Sequence, residues 1–461
     1  MTDSETDEAS PASEEDRSEP GSGGGGSGTS TGKITLTGAV SMGTGVMIGA
    51  GVFALMGQVA QAAGPLFPFA FVAAAVVAGT TGYSYVKLSN TFPSAGGIGK
   101  FLNEAYGVGP IAATFTMAMW VSMVLNESLV ARTFGTYFAR LVGIDTATLW
   151  VAGLGVALLI GSFAINAAGN RAVNVTESIM AVVKIGGLVV FAGVGLLVAD
   201  VPESGGQGIE SPAAVSLLGA VAIALLAFKG FTTITNTGGE IERPHRNVGR
   251  AIVISIVIVT VVYVAVALAV RGNLSLSEII DARDYSLAEA ARPVFGSVGF
   301  RLVAGLAVIA TITSVMASMY STSRMLGMMS DMGEVPEVRL GRRLPFGNPP
   351  LVVTTAAAIA LTVAFDLTRI AALGAFAYLT LDVVVHWGHW RHLRPETGAR
   401  AGPLLAAVAF DAIVLGGLVA YQLMNDGFVV VAFAVFAVVV AGGETFYMRR
   451  FSGARAANDD A

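Results

Sequence analysis

The sequence predicts an all-α integral membrane protein with twelve transmembrane helices, two of them discontinuous. Three observations carry that prediction. Only 13% of the 461 residues are charged and 54% are hydrophobic, with mean hydropathy +0.70. A soluble domain is about 25% charged, so lipid is the solvent for most of this chain. Twelve apolar runs follow Lys33, most near the ~20 helical residues that span the hydrocarbon core. The first and the sixth of them carry clusters of glycine at their centres.

The runs fall near 35–58, 64–87, 107–138, 147–168, 175–199, 213–238, 247–270, 296–328, 350–366, 370–389, 402–424 and 428–447, the ninth being short. Backbone groups in lipid must be satisfied within their own segment, so each run is read as a helix. Ahead of them, residues 1–32 hold Asp3, Glu5, Asp7, Glu8, Glu14, Glu15, Asp16 and Glu19, then GSGGGGSGTSTG. Such a stretch buries too little apolar area to offset its ordering entropy, and a disordered acidic tail is expected. A cleavable signal peptide is not expected, because the N-terminus is acidic and the first apolar run begins after Lys33. There is no cysteine, which excludes disulfides and thiolate metal sites. Gly32-Lys33 resembles the end of a phosphate loop. Ser27 stands where its first glycine belongs and Ile34 where Ser or Thr is needed, so that motif is rejected.

Positive charges set the orientation. With the N-terminus in the cytoplasm, the inner loops carry Lys33, Lys87, Lys100, Arg171, Arg243, Arg246, Arg250, Arg324, Arg339, Arg342, Arg343, Arg391, Arg394 and Arg400. The outer loops keep Arg140, Arg271, Arg283, Arg292, Arg301 and Arg369, together with acids such as Asp200, Glu203, Glu210, Glu278 and Asp281. The chain is expected in the cytoplasmic membrane with both termini on the cytoplasmic side. The tail 449–461 carries Arg449, Arg450 and Arg455.

The glycines raise a physical question. MGTGVMIGAGVFALMG, residues 42–57, contains Gly43, Gly45, Gly49, Gly51 and Gly57. Each glycine inside a helix costs about 1 kcal/mol against alanine. One reading is close packing, since Gly45 and Gly49 form a small-xxx-small pair. A dinucleotide fingerprint is rejected, because no strand or soluble βαβ unit accompanies it. The other reading is a helix broken at the bilayer midplane, as in secondary transporters, where freed peptide groups bind substrate. That reading expects a second break in a second half. Five helices on, LLAFKGFTTITNTGGE places Gly230, three threonines, Asn236 and Gly238-Gly239 in the sixth run.

Four spaced motifs resemble the amino acid–polyamine–organocation superfamily of transporters over about residues 33–450. They are Met47-Ile48-Gly49-Ala50-Gly51-Val52-Phe53; Phe92-Pro93-Ser94-Ala95-Gly96-Gly97; Ala227-Phe228-Lys229-Gly230-Phe231 with Asn236, Glu240 and Pro244-His245-Arg246-Asn247-Val248; and Ser323-Arg324-Met325-Leu326 with Ser330-Asp331-Met332-Gly333 and Pro336. The resemblance implies a five-plus-five inverted repeat with discontinuous helices 1 and 6. The repeats are 33–199 and 200–392, and two further helices lie within 393–448. It also implies transport of amino acids or related amines by alternating access.

A zwitterion needs an anion site beside a cation site. A half-helix beginning near Gly49 would offer free amides and a positive dipole end to a carboxylate. Carbonyls near Gly45 to Ile48, with those of Ala227 and Phe228, would accept an ammonium. Gly49, Ala50 and Gly51 would let the ligand reach backbone. The expected binding residues are therefore Met47, Ile48, Gly49, Ala50, Gly51, Ala227, Phe228, Lys229, Gly230, Phe231 and Thr232. Two departures from the family pattern stand out: Thr232 replaces a common acid, and Leu226 a common bulky aromatic. Lys229 either steers the site toward anionic or neutral substrates or reaches water in an inner vestibule.

A charge at a helix centre costs ~2.5–3.5 kcal/mol and so needs a role or a partner. Lys184 matches a fifth-helix lysine that, in many proton-linked relatives, replaces a sodium ion. Its ammonium would bond carbonyls at Gly43 to Gly45 and hydroxyls of Thr313 or Ser314. Burial disfavours the charged form of a lysine, so it can release a proton. A permanently charged structural pin is the alternative. Glu127, beside Asn126, would pair with Arg132 or a lysine, receive protons, or read a substrate side chain. Asp382 and Asp411 are unassigned. His386, His389 and His392 share a helix face, but an interfacial aromatic and basic collar with Trp387, Trp390, Arg391 and Arg394 explains them better than a metal.

No nucleophile–base–orienter cluster points to an enzyme, and neither metal, cofactor nor nucleic acid is expected. The expected partners are an amino acid or amine, protons and membrane lipid. Proton-uncoupled exchange is the alternative. A channel is less favoured, because its filter needs repeated rings of carbonyls or charges.

Overall fold

The computed structural model describes residues 33–168 except Ala95 and Thr146, then 173–199, 213–333, 335 and 348–459, with backbone alone for Ala50, 173–179 and 448–459. The acidic tail, Arg171, Pro336, Arg339, Arg342 and Arg343 lie outside the described residues.

Each of the twelve apolar runs falls on a helix. These are α1 (Leu36–Ala63), α2 (Phe67–Thr91), α3 (Pro110–Val142), α4 (Thr148–Ala168), α5 (Val173–Val198), α6 (Ala214–Phe228), α7 (Pro244–Asn273), α8 (Arg292–Asp331), α9 (Pro349–Ala364), α10 (Leu367–Gly388), α11 (Ala401–Asn425) and α12 (Gly427–Asp459). Among the described residues, nine segments are long and apolar enough to cross a membrane. The protein is an all-helical, multi-pass membrane protein. The only extended pairing described is one bridge, Ile34 with Ile241.

The ends of the helices follow local chemistry. Thr35 caps α1 by accepting from the Gly38 amide at 3.2 Å, and Asp366 caps α10 by accepting from the Arg369 amide at 2.9 Å. Proline sits in the first turn of α2, α3, α7, α8 and α9, where its missing N–H costs nothing. Gly143, at φ 75°, terminates α3. α8 is bent at Gly296, φ 63°, so its straight part starts one residue further on.

The expectation of a broken first helix is not met. α1 is continuous α-helix from Leu36 to Ala63. Close packing accounts for Gly43, Gly49, Gly51 and Gly57, whereas a methyl at Gly45 would make only ordinary contact with Ala181. A methyl at Gly43 would overlap the Ile234 side chain, one at Gly49 the Ser314 hydroxyl, and one at Gly51 would fall 2.8 Å from the Ala227 Cβ. α1 lies at the centre of the bundle, with Val52, Phe53, Ala54, Leu55 and Met56 wholly buried. Its neighbours reach its backbone only because it carries no side chain at those points. The sixth run is interrupted, though modestly. α6 passes through one 3₁₀ turn, Lys229–Phe231, into a short helix Thr232–Asn236 and a second 3₁₀ turn, Gly238–Glu240.

α12 lies at the rim and exposes Val431, Val435, Val438 and Val439, as a lipid-facing helix should. α3 and α4 meet through glycine: a methyl on Gly135 would overlap the Val151 carbonyl, whereas Gly153 has open space. Gly135→Ala is therefore expected to destabilise by about 1–3 kcal/mol through overpacking. Gly153→Ala should be neutral or slightly stabilising. Melting of the two purified variants in one detergent checks this; equal melting temperatures would contradict the contact.

Candidate functional site

The site grows from the 3₁₀ turn in the sixth run. Tightening from α to 3₁₀ geometry shifts hydrogen bonds and loosens carbonyls. The threonines that follow take them up: the Thr232 hydroxyl donates to the Lys229 carbonyl at 2.9 Å, and Thr235 to that of Thr232 at 2.6 Å. Gly230 lets the turn press on α1, since a methyl there would sit 2.6 Å from the Met47 nitrogen. A cavity of about 30 Å³ lies beside this contact.

Of the residues expected to bind substrate, Met47, Gly51, Ala227, Lys229, Gly230 and Thr232 line that cavity. Ile48, Gly49, Phe228 and Phe231 do not. Ile48 is fully buried, and Gly49 faces Ser314 and Ala310. Phe228 packs edge-on against Tyr263, and Phe231 against Tyr85. Ala50 is described by its backbone alone. The lining residues outside that set are Val46, Met123, Asn126, Leu226, Thr233 and Ser318.

Tyr263 of α7 was not singled out in the sequence, yet it staples the two core elements. Its buried hydroxyl lies 2.6 Å from the Met47 carbonyl and 3.1 Å from that of Ala227, sharing one proton between them. A lone tyrosine inside an otherwise aliphatic run was the available signal. Those two carbonyls, expected to meet an ammonium, are occupied by a protein hydroxyl.

Lys229 does not reach water. It is buried, donates to the Ser122 hydroxyl, and stands 4.8 Å from the centre of the Tyr378 ring. Lys184 lies where the sequence puts it. Its ammonium donates to the Gly45 carbonyl at 3.3 Å and to the Ser314 hydroxyl at 3.4 Å, and Ser314 in turn donates to Gly45 at 3.3 Å. Thr313 lines the same crevice but bonds its own helix, at Ile309 and Ala310.

Glu127 does not pair with Arg132. The Arg132 Nε donates to the Thr362 carbonyl at 2.7 Å, while both Glu127 oxygens are buried without a hydrogen-bond partner. The histidine collar is also corrected: His386 and His389 are wholly buried. His389 bonds Ser84 at 2.8 Å and Thr397 at 2.9 Å, and only His392 is exposed, edge-on to Tyr106. His386 lies within α10 facing Asp411 of α11, and His389 opens the π turn His389–Leu393 with Ser84 and Thr397 against its ring.

The chain from residue 34 to residue 444 matches the family model described as amino acid permease. The chain belongs to the amino acid permease family. Over 404 residues the permease is 32% identical to an uncharacterized protein of Methanocaldococcus jannaschii, covering 86% of this chain and 91% of that one. It is 27% identical to the inner membrane transport protein YbaT of Escherichia coli, covering 86% and 91%. It is 25% identical to the serine/threonine exchanger SteT of Bacillus subtilis, covering 59% and 62%. The permease is thus a transporter and not an enzyme.

The two ends of the permease differ. At one, Ile34 pairs with the strand-like segment after Gly238–Glu240, and Arg324 of α8 bonds Glu240 at 2.6 Å. At the other, a cavity of about 370 Å³ is lined by Arg132, Arg140, Arg283, Asp281, Asp284 and Asp366. Asp284 there is fixed by Gln58 of α1 at 2.7 Å, and burial in this loop pushes its carboxyl up from the usual range.

Tyr263→Phe removes the shared proton and is expected to cost about 1 kcal/mol. Hydrogen exchange should rise in peptides covering 45–52 and 225–232 while peptides of α12 stay unchanged. Unaltered protection in both core peptides would rule out the staple.

Proposed function

We propose that this permease carries amino acids or related amines by alternating access, through twelve membrane-spanning helices with both termini cytoplasmic. Residues 33–199 and 200–392 form its two five-helix repeats, 393–448 holds the last two helices, and 1–32 and 449–461 are cytoplasmic tails. The observation that carries the reading is the cavity where the 3₁₀ turn of the sixth run meets α1, lined by Met47, Gly51, Ala227, Lys229, Gly230 and Thr232. These residues bind the substrate, while Ile48, Gly49, Phe228 and Phe231 pack behind them without lining the cavity. In the tight arrangement described, binding displaces the Tyr263 hydroxyl from the Met47 and Ala227 carbonyls, and the ligand's ammonium takes its place. Lys229 adds a positive charge, which favours neutral or anionic side chains over cationic ones. The large cavity at the Arg140 end is the outer vestibule, and the Arg324–Glu240 pair helps close the inner end. An exposed ion pair of this kind is worth at most about 1 kcal/mol, weak enough to break in each cycle.

Proton coupling runs through Lys184, which ties α5 to the Gly45 carbonyl of α1 and Ser314 of α8. Loss of its proton weakens both bonds and loosens α1. Thr313 supports the crevice, and Glu127 is a second buried group near the path. Exchange without protons is the second reading, favoured by the exchanger name of the Bacillus relative.

Two measurements test these readings. A thermal-shift screen of purified protein against the twenty amino acids and common polyamines should give stabilisation by neutral or acidic amino acids; stabilisation by polyamines alone would overturn the substrate class. In proteoliposomes, Lys184→Ala should abolish pH-dependent accumulation while leaving exchange of preloaded substrate. Wild-type accumulation that is flat across roughly pH 5 to 8 would leave exchange as the mechanism.

A further inference from the structure

Two carboxylates and an imidazole meet in the interior where no mechanism yet uses them. Asp382 and His386 are four residues apart on α10 and so share one face. Asp411 approaches from α11. All three are wholly buried, and one ligand atom from each lies within 4.8 Å of the others. Five of their polar atoms have no hydrogen-bond partner: Asp382 Oδ2, both nitrogens of His386 and both oxygens of Asp411. The Tyr378 hydroxyl stands beside Asp382.

The His386–Asp411 spacing favours an ion over a shared proton, while the set as a whole spans up to 4.8 Å and must contract to close on one ion. Protons bridging these groups would draw donor and acceptor to about 2.7–3.0 Å. His386 Nε2 stands 3.6 Å from Asp411 Oδ2, too long for a hydrogen bond. Two ligands on one ion, with bonds of about 2.0–2.1 Å in a tetrahedral set, sit about 3.4 Å apart. The surroundings fit the same picture. Tyr85 donates to Asp382 Oδ1 at 2.7 Å, which orients the carboxylate and leaves Oδ2 free. Its neighbour His389 is already satisfied on both ring nitrogens, so His386 is the histidine left to bind.

We propose that Asp382, His386 and Asp411 form a binding site for a divalent transition ion, zinc in the first instance. One imidazole and two carboxylates suit zinc, manganese or nickel, and the imidazole disfavours calcium and magnesium. The Tyr378 hydroxyl or a water supplies the fourth ligand. The ion supplies positive charge to two carboxylates that lie in the apolar interior, and it clamps α11 to α10. Lys229, the cation nearest Asp382, contacts Ser122 and Tyr378 instead of entering the set. The site is independent of the transport reading.

The test uses the full chain with a non-histidine affinity tag, purified in detergent with metal-free buffers. The protein is loaded with zinc, desalted and assayed by elemental analysis against a detergent blank. About one zinc per chain is expected, together with a raised melting temperature that a chelator reverses. Cobalt(II) in its place should give visible bands of a low-coordinate site. His386→Ala and Asp411→Asn should bind at least roughly tenfold less, and His392→Ala, which alters an exposed histidine, should bind as the wild type does. The measurements on unmodified protein decide the matter even if a variant fails to fold. Wild type with no zinc above the blank means that a protonated imidazole closes the cluster, and the proposal falls. Zinc retained undiminished in a folded His386→Ala variant means adventitious binding, with the same consequence.

Discussion

The structure depends on the exposed peptide groups of one helix. α1 is stripped of side chains at Gly43, Gly45, Gly49 and Gly51, and other helices bond or press on its backbone there. Lys184 and Ser314 reach the Gly45 carbonyl, and Tyr263 reaches that of Met47. These carbonyls carry a second partner beyond what an ordinary helix provides, which an oxygen with two lone pairs can accept. In lipid, such bonds count because water is not there to compete. α5, α6, α7 and α8 are therefore gathered on one rod by contacts to its main chain.

That geometry explains why the sequence misleads on α1. Glycines that permit close approach and glycines that let a helix unwind look alike in a one-dimensional string. What separates them is the identity of the neighbour: Ile234, Ser314, Tyr263 and Ala227 fill the space each glycine leaves. The sixth run is more legible because Lys229-Gly230-Phe231 is followed by threonines, whose hydroxyls can take up loosened carbonyls. Hydropathy marks the long helices, each apolar run falling on one, since burial in lipid demands continuous apolar length. Lys184 was legible through the resemblance, which offered carbonyls at Gly43 to Gly45 and the hydroxyl of Thr313 or Ser314; the ammonium meets Gly45 and Ser314.

The errors elsewhere share one cause. His386 and His389 sit between tryptophans and arginines in sequence, which reads as an interface. Both rings are nonetheless inside: His386 faces Asp411 of α11, and His389 is held by Ser84 of α2 and by Thr397. Arg132 lies five residues after Glu127, a separation that points the two side chains to different sides of α3. The guanidinium meets a carbonyl of α9 instead. Short-range pairing rules fail when the partner comes from a helix more than two hundred residues away.

Lys184, Lys229, Glu127, Asp382 and Asp411 are among the charged side chains buried within the spans. They are not distributed evenly. Lys184 and Lys229 flank α1 and the 3₁₀ turn, where carbonyls and hydroxyls can solvate an ammonium. The two aspartates lie one layer further out, between α10 and α11, beyond Tyr378. Attraction between Lys229 and Asp382 falls with distance but is poorly screened by an apolar interior. A change of charge at the outer cluster is therefore felt at Lys229, and through Lys229 in the cavity beside Met47. The same physics runs in reverse: an anion entering that cavity draws Lys229 toward itself and leaves Asp382 with less compensation. Lys229 thus both lines the central cavity and faces the charge of Asp382 across Tyr378.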